Sequence, residues 1–515
     1  MRRMRVGTFG HTDKIDECEK RGMDMSDQRT KWQQQKIVPT LAENVNKLNR
    51  MLAVDQNFDV VHREFMFAGR PFSMYFVDGF VKDDIMNRII TYLNKLKPNE
   101  LDDDTIQTML ETHLGYIEVD TTDNLGDVVN QVLAGPLALL MDGAEKAIII
   151  DVRTYPVRNP EEPDIERVVR GARDGFTETI VFNTALTRRR LRDPSLRMEY
   201  MQVGKRSKTD IALSYMEDVA NPDTVRLLRE KIEAIDVDGL PMAEKSLEEF
   251  VFGNNWNPYP LVRYTERPDV AAVHLLEGHI LIYVDTSPSV MIAPSTLFHH
   301  VQHAEEYRQK PVVGAYLRWV RFLAMALSVI LLPLWYLFAT HPEHLPEALS
   351  FIGIDDPSGV PLLVQFILAE LGADILRMAS IHTPSPLASA LGLVSAILIG
   401  QVAVEVGLFV NEVLLYLAIA VIGTFATPSY ELGLANKFVR LFLLLTSWAF
   451  GWIGFVAGIV LWFALLWRTR SLDVPYLWPF VPFNKKAFWD VLVRSPIPVK
   501  HNRPSILSPE DPDRE

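Results

Sequence analysis

Five polar side chains set inside apolar segments are the residues of this chain best placed to do chemistry. Glu370, Asp374 and Arg377 interrupt the apolar run Pro361–Ser380, and Gln401 and Glu405 lie near the end of the run Leu387–Phe409. Spacings of four and three residues put Glu370, Asp374 and Arg377 on one helical face. A charge inside a lipid-compatible stretch is costly unless it meets water or a partner. The Pro361–Ser380 run therefore reads either as an internally paired helix at a membrane surface or as a span whose charged face looks into a bundle or an aqueous pathway. Glu405 reads either as an intra-bundle hydrogen-bonding group or as the polar mouth of a pore. On the pore reading, Val394, Ile397 and Leu398 form an apolar gate, Gln401 and Glu405 the mouth, and Glu370 and Asp374 a cation-attracting ring. An adjacent face carries Gly392, Ala396, Gly400, Ala403 and Gly407. Small residues in such a stripe let helix backbones approach closely within a membrane.

The remaining motifs carry little catalytic signal. The run Gly204–Thr209 (GKRSKT) resembles a phosphate loop, but the first glycine of that pattern is replaced by Glu199, and the run precedes a strand-like segment. His299, His300 and His303 lack the glutamate-containing zinc pattern and read as surface or interfacial histidines. No nucleophile–base set or metal cluster stands out, so neither enzymatic activity nor a cofactor is expected. Arg167, Arg170, Arg173, Arg188, Arg189, Arg190, Arg192 and Arg197 form a dense basic stretch. It is either a solvated face paired with local carboxylates, or, with Arg188, Arg189, Arg190 and Arg192 at its centre, an interaction surface for a partner or for anionic lipid headgroups.

These residues need a scaffold, and the pattern of hydrophobicity supplies one. The long apolar runs lie after Lys310, whereas the first three hundred residues read as water-soluble. The chain has 515 residues, a net charge of −13 and one cysteine, Cys18. The acidic balance argues against nucleic-acid binding, and one cysteine gives no disulfide framework. Residues 1–45 read as a polar, disordered leader without the apolar core of a signal peptide. Two small α/β subdomains follow, 46–160 and 161–310, joined by a Pro/Glu-rich linker over Tyr155–Asp164. Strands are expected at Phe72–Val77, Ala147–Val152, Thr209–Tyr215 and His279–Val284. Helices are expected at Asp83–Leu96, at Asp103–Glu111 and, opened by Asn221, at Pro222–Ile235. Residues 311–470 read as an all-α transmembrane bundle of four to six spans, and 471–515 as a cytoplasmic tail. Arg318 and Arg321 flank the entry to the first span, Phe322–Ala339, which places the α/β part on the cytoplasmic side. The run Leu441–Trp467 has basic residues at both ends. Either it is a hairpin broken near Gly451, or the Pro361 segment does not cross.

Four blocks resemble the GerA family of spore germination proteins, the A-type subunits of germinant receptors. They are Val168–Val203 (VVRGARDGFTETIVFNTALTRRRLRDPSLRMEYMQV), Val270–Pro294 (VAAVHLLEGHILIYVDTSPSVMIAP), Ile399–Leu408 (IGQVAVEVGL) and Val474–Pro482 (VPYLWPFVP). Ser207–Val219 and Phe65–Val81 resemble one branch of that family in particular. The resemblance implies a multi-pass protein of the inner spore membrane with its large N-terminal domain in the cytoplasm. It implies a homo-oligomer, a pentamer, that conducts cations and works with other germination membrane proteins. It also leaves a different role open, a non-conducting scaffold or accessory subunit of a germinant receptor or dipicolinic-acid export assembly.

Overall fold

Strand-forming segments of alternating burial give the soluble part its frame. The computed structural model describes residues 34–98, 119–153, 169–253, 256–344, 353–354, 358–382, 398–493 and 502–513. In the first subdomain, α1 (Leu41–Met51) precedes β1 (Val60–Phe67) and β2 (Arg70–Val77). Then come α2 (Asp83–Leu93), β3 (Val119–Thr122), α3 (Leu125–Ala134), β4 (Leu137–Met141) and β5 (Ala147–Ile150). The strands form one antiparallel sheet in the order β1-β2-β4-β5-β3. Because successive side chains point to opposite faces, Tyr75, Val77, Ala138, Leu140 and Ile149 pack under α1 and α3. Phe72, Met74, Leu137, Leu139 and Ile148 pack against α2 on the other face.

The second subdomain repeats this plan. It comprises α4 (Ile180–Arg190), β6 (Leu196–Val203), β7 (Thr209–Met216), α5 (Pro222–Glu233), α6 (Ala243–Phe252), β8 (Arg263–Thr265), α7 (Pro268–Leu276), β9 (Ile280–Val284) and β10 (Val290–Ala293). Its strand order, β6-β7-β9-β10-β8, is the first order shifted by five. Asn221 caps α5 by accepting from the Asp223 amide at 2.9 Å, with Pro222 in the first turn. The expected strands and the Asn221 helix are thus present with ends within two residues of those expected, and the Asp83–Leu96 helix ends three residues early. The linker Tyr155–Asp164 and the expected helix Asp103–Glu111 lie outside the described residues. The leader boundary moves: Ile37 and Leu41 are buried in the first core, so residues 34–45 belong to the first subdomain.

A buried ion pair joins the two subdomains. Arg188, on α4, donates through Nε and Nη2 to the two carboxylate oxygens of Asp59 at 2.8 and 3.0 Å. The Met198 amide donates to Asn57 Oδ1 at 2.8 Å beside it. Arg188 and Asp59 are almost fully buried. Arg188→Lys keeps the charge but loses the two-pronged geometry. It is expected to lower stability by about 1.5–3 kcal/mol, the scale of a hydrogen bond to a charged group, measured by denaturant unfolding.

The helical part begins with two short helices, α8 (Leu297–Val301) and α9 (Ala304–Arg308), and the long α10 (Pro311–Thr340). It continues with α11 (Leu362–His382), α12 (Asn411–Phe425), α13 (Tyr430–Arg468) and, after a two-residue β-ladder at Ser471–Val474, α14 (Lys485–Leu492). Between α11 and α12 lies a π-helical turn at Leu398–Val402 continued by one α-turn at Ala403–Glu405. Helices α11 and α12 run antiparallel to α10. Trp335 packs against Phe366 and Tyr416 at one end, with centroids 5.6 and 4.9 Å apart. Near the other end a Cβ on Gly423 would collide with the Ala324 carbonyl.

Helix α13 is a hairpin. Gly451 has φ 60° and ψ −141°, a backbone conformation that favours glycine. A Cβ on Gly454 would collide with the Thr446 carbonyl, and one on Gly458 would lie 2.8 Å from Leu443. In a continuous helix those pairs would stand about 12 and 22 Å apart. Residues 430–450 and 452–468 are therefore two side-by-side arms. The first runs beside α10 and turns where Trp452 packs on Phe338 at 5.1 Å. The second returns to subdomain two, where Trp462 donates to Tyr259 Oη at 2.6 Å and Asn257 donates to Thr469 Oγ1 at 2.7 Å.

The tail is built into the second subdomain. Ser471 Oγ donates to the Leu261 carbonyl, the Leu297 amide donates to that of Tyr476, and Arg503 Nε donates to that of Leu276. Among the described residues, two helices, Pro311–Thr340 and Tyr430–Arg468, are long and apolar enough to cross a membrane.

Candidate functional site

The charged face of α11 packs against the first arm of α13. Arg440 donates through Nε to Glu370 Oε1 at 2.6 Å and through Nη2 to Oε2 at 3.1 Å. Its Nη1 donates to the Ser328 carbonyl at 2.6 Å and to Thr424 Oγ1 at 3.3 Å, which ties in α10 and α12. Lys437 pairs with Asp374 and lies 3.4 Å from Glu370. Arg377 stands over the rings of Phe425 and Tyr430 at 5.2 and 5.4 Å. Glu370 and Arg440 are buried; the Asp374 side chain is 40% exposed. A two-pronged guanidinium–carboxylate pair of this kind is among the stronger polar contacts a bundle can hold.

The charged face of α11 is internally paired, and its partners lie inside a four-helix contact. Glu370 is not an open member of a cation-attracting ring, because both its oxygens are held by Arg440. Asp374 keeps an accessible side. The partners Lys437 and Arg440 were legible only as topology markers. Their three-residue spacing facing a four-residue acid pair on α11 is the signal that could have matched them.

The second polar segment is placed in part. Val394 and Ile397 lie outside the described residues, and Leu398 contributes its backbone to the π-helical turn. Gln401 and Glu405 are exposed. Of the small-residue stripe, Gly392 and Ala396 lie outside the described residues, and Ala403 is buried. A Cβ on Gly400 or Gly407 would meet nothing within 4 Å. Close helix contacts within the chain are made at Gly423, Gly454 and Gly458 instead. Beyond Gly407 the turn is fixed by Ser358 Oγ, which donates to the Gly407 carbonyl at 2.6 Å, and by Gln365 Oε1, which accepts from the Val410 amide at 2.9 Å.

Where α9 meets α10, a second carboxylate gathers cations. Glu306 is fully buried and accepts from Arg318 Nε at 2.8 Å and from Arg321. Arg318 Nη1 also donates to the carbonyls of Asp490 and Val491 at 2.9 and 3.0 Å, at the end of α14. The sequence reading used these arginines only to orient the first span. The basic stretch upstream is divided. Arg188 is buried in the subdomain junction and so is absent from any interaction surface; Arg190 pairs with Asp174, and Arg189 and Arg192 are exposed. Gly204–Lys208 forms the β6–β7 hairpin turn and opens no helix.

His299 and His300 are buried, not interfacial, and His274 and His279 join them. The ring centroids of His274, His279 and His299 lie 4.8 to 6.0 Å apart. Nδ1 of His274 donates to the Val270 carbonyl and Nδ1 of His279 to that of His274, so each keeps a bare, buried Nε2. His299 Nδ1 accepts from the Thr296 amide at 3.1 Å, which puts its proton on Nε2 and opposes a three-histidine metal site. Among the described residues no group of three His, Cys, Asp or Glu is arranged for a metal. Burial lowers His274 to about 3, His279 to about 4 and His300 to about 3. The unfolded chain, with ordinary histidines near 6.5, binds more protons below that pH. Stability is therefore expected to fall as the pH drops below about 6.5 and to go on falling toward pH 4. Melting temperatures between pH 7.5 and 5 check this, and His279→Gln should flatten the slope.

Comparison with known proteins identifies relatives of the chain. Residues 46–506 match the family described as Bacillus/Clostridium GerA spore germination protein. Stage V sporulation protein AF of Bacillus subtilis (strain 168) is 49% identical over 470 residues, covering 91% of this chain and 95% of that protein. This is the branch that Ser207–Val219 and Phe65–Val81 resemble. Spore germination protein KA of the same organism is 29% identical, covering 93% of this chain and 89% of the relative. Among solved structures, the N-terminal domain of the A subunit of the Bacillus megaterium spore germinant receptor GerK3 aligns with a TM-score of 0.41 at 25% identity, covering 51% of this chain and 98% of that one. The chain belongs to the GerA family of spore germination proteins.

Proposed function

We propose that this chain is a subunit of an oligomeric channel in the inner spore membrane that releases monovalent cations in response to a germination signal. Relatives named as spore germination proteins support a role in germination. The observation that carries the conducting reading is the segment at 398–407. There Gln401 and Glu405 are exposed beside Gly400 and Gly407, whose Cβ positions meet no neighbour among the described residues. A second copy would cover the glycines and leave the amide and acid facing a shared aqueous path, with Val394, Ile397 and Leu398 as the constriction. Asp374, half-exposed, would add a cation-attracting carboxylate. No enzymatic step is assigned.

The course of the helices supports a multi-pass arrangement. α10 leads away from the α/β domain, α11 and α12 return, and the two arms of α13 lead out and back. The end of α11 and the start of α12 lie at opposite ends of the bundle. An even number of traverses would keep both termini with the α/β domain on the cytoplasmic side. Lys437, Arg440, Arg468 and Arg470 then all lie toward that side, which removes the conflict of basic residues at both ends of α13. Outward apolar side chains such as Leu323, Ile422, Phe438 and Val460 would face lipid or neighbouring copies.

Glu405→Ala is expected to lower cation flux from liposomes several-fold without lowering the amount of protein incorporated, because it removes the carboxylate at the mouth. Unchanged flux would remove Glu405 from the pathway. Exposed Arg189 and Arg192 favour a second role, docking a partner through the α/β domain. A pull-down retained by a non-conducting chain would give that role precedence.

A further inference from the structure

Beside the Glu370–Arg440 pair, α11, α12 and α13 enclose a cavity of about 300 Å³ that opens on one side. Its volume is at the lower end of ligand sites, about 300–1,000 Å³. Its lining is apolar at Leu376, Val421 and Phe425 and charged at Asp374, Arg377 and Lys437, with Arg377 stacked on the Phe425 ring. With Arg440 and Glu370 behind them, the cavity holds three cations and two carboxylates. Lys437 lies seven residues into α13, about 10 Å along the axis from its start at the domain-proximal end, the depth of a headgroup and its glycerol.

We infer that this cavity binds the phosphodiester headgroup of an anionic phospholipid from the leaflet nearest the α/β domain. Arg377 and Lys437 recognise the phosphodiester by charge-assisted hydrogen bonds, and the apolar lining residues receive the start of the acyl chains. Basic pockets between membrane helices on the cytoplasmic side recognise lipid headgroups by this chemistry. A free phosphate would gain nothing from the apolar lining residues. The inference rests on the membrane-spanning reading of these helices and does not require conduction.

The test uses the full-length chain purified in detergent, with lipid retention read by native mass spectrometry and thermal stability read on titration. Phosphatidylglycerol should be retained over phosphatidylcholine and should raise the melting temperature. Arg377→Gln should reduce phosphatidylglycerol retention about five-fold, the effect of one cation at a membrane surface. Asp374→Asn removes a repelling carboxylate and should increase retention by a similar factor. Opposite shifts separate recognition from misfolding, and the wild-type comparison stands even where a variant fails to fold. Equal retention of the two lipids, or the same direction of change in both variants, would overturn the inference. So would inorganic phosphate alone reproducing the full thermal shift, which would assign the site to a free anion.

Discussion

Glu370→Ala is expected to lower the stability of the detergent-purified chain by about 3–5 kcal/mol, the cost of leaving a buried charge without its partner. The residue left behind is Arg440, which is almost fully buried and makes two of its four polar contacts with the lost carboxylate. The Ser328 carbonyl and Thr424 hydroxyl remain, but neither carries charge. Lys437 loses one of its two carboxylates as well. Because the cost comes from the orphaned guanidinium, the double variant Glu370→Leu with Arg440→Met should recover most of the loss. Buried ion pairs replaced as a unit by apolar residues are often near neutral. Thermal melts of the two singles and the double decide it. A double variant as unstable as the sum of the singles would mean that the helices pack through other contacts.

Glu306→Ala is expected to cost a similar amount, about 3–5 kcal/mol, with its effect localised differently. Among the described residues, Glu306 is the one carboxylate paired with Arg318 and Arg321 on α10. Arg318 keeps the carbonyls of Asp490 and Val491, whereas Arg321 keeps the Val301 carbonyl at 3.2 Å. The variant should therefore loosen the attachment of α10 to α9 and to the tail helix α14 while sparing the two α/β cores. Amide hydrogen exchange should rise over residues 297–320 and 485–493 and stay unchanged in β2, β4, β7 and β9. Exchange rising uniformly across the chain would show that Glu306 acts on global stability rather than on this junction.

Much of the α/β domain was legible because its strands alternate between two apolar faces and its α5 helix opens on an Asn-Pro pair. Phe72–Val77 and Thr209–Tyr215 needed only that local pattern. The identity of the two strand orders was not legible, because it resides in which strands pair and not in any repeated motif. Contacts distant in sequence were lost for the same reason. Arg188 looks like one more arginine in a solvated run until Asp59, 129 residues away, is brought beside it. Glu370 and Arg440 are 70 residues apart, so their pairing depends on the packing of α11 on α13. The histidines misled differently: lacking a zinc pattern they read as surface residues, whereas His274, His279, His299 and His300 are all buried. For the Leu441–Trp467 run, the local glycines allowed a hairpin, and only the contacts of Gly454 and Gly458 with the opposite arm established it. The pore-lining segment was chosen from composition. The structure leaves its Gln401 and Glu405 exposed, and its role rests on conduction itself.

Monovalent cation flux from liposomes containing the pure full-length chain, with and without its germination partners, tests the central proposal most directly. The account predicts flux that requires the protein, falls with Glu405→Ala, and leaks without a stimulus when Leu398 is replaced by alanine. A correctly inserted, oligomeric chain that passes no ions under any of these conditions, while still capturing its partners, would contradict it.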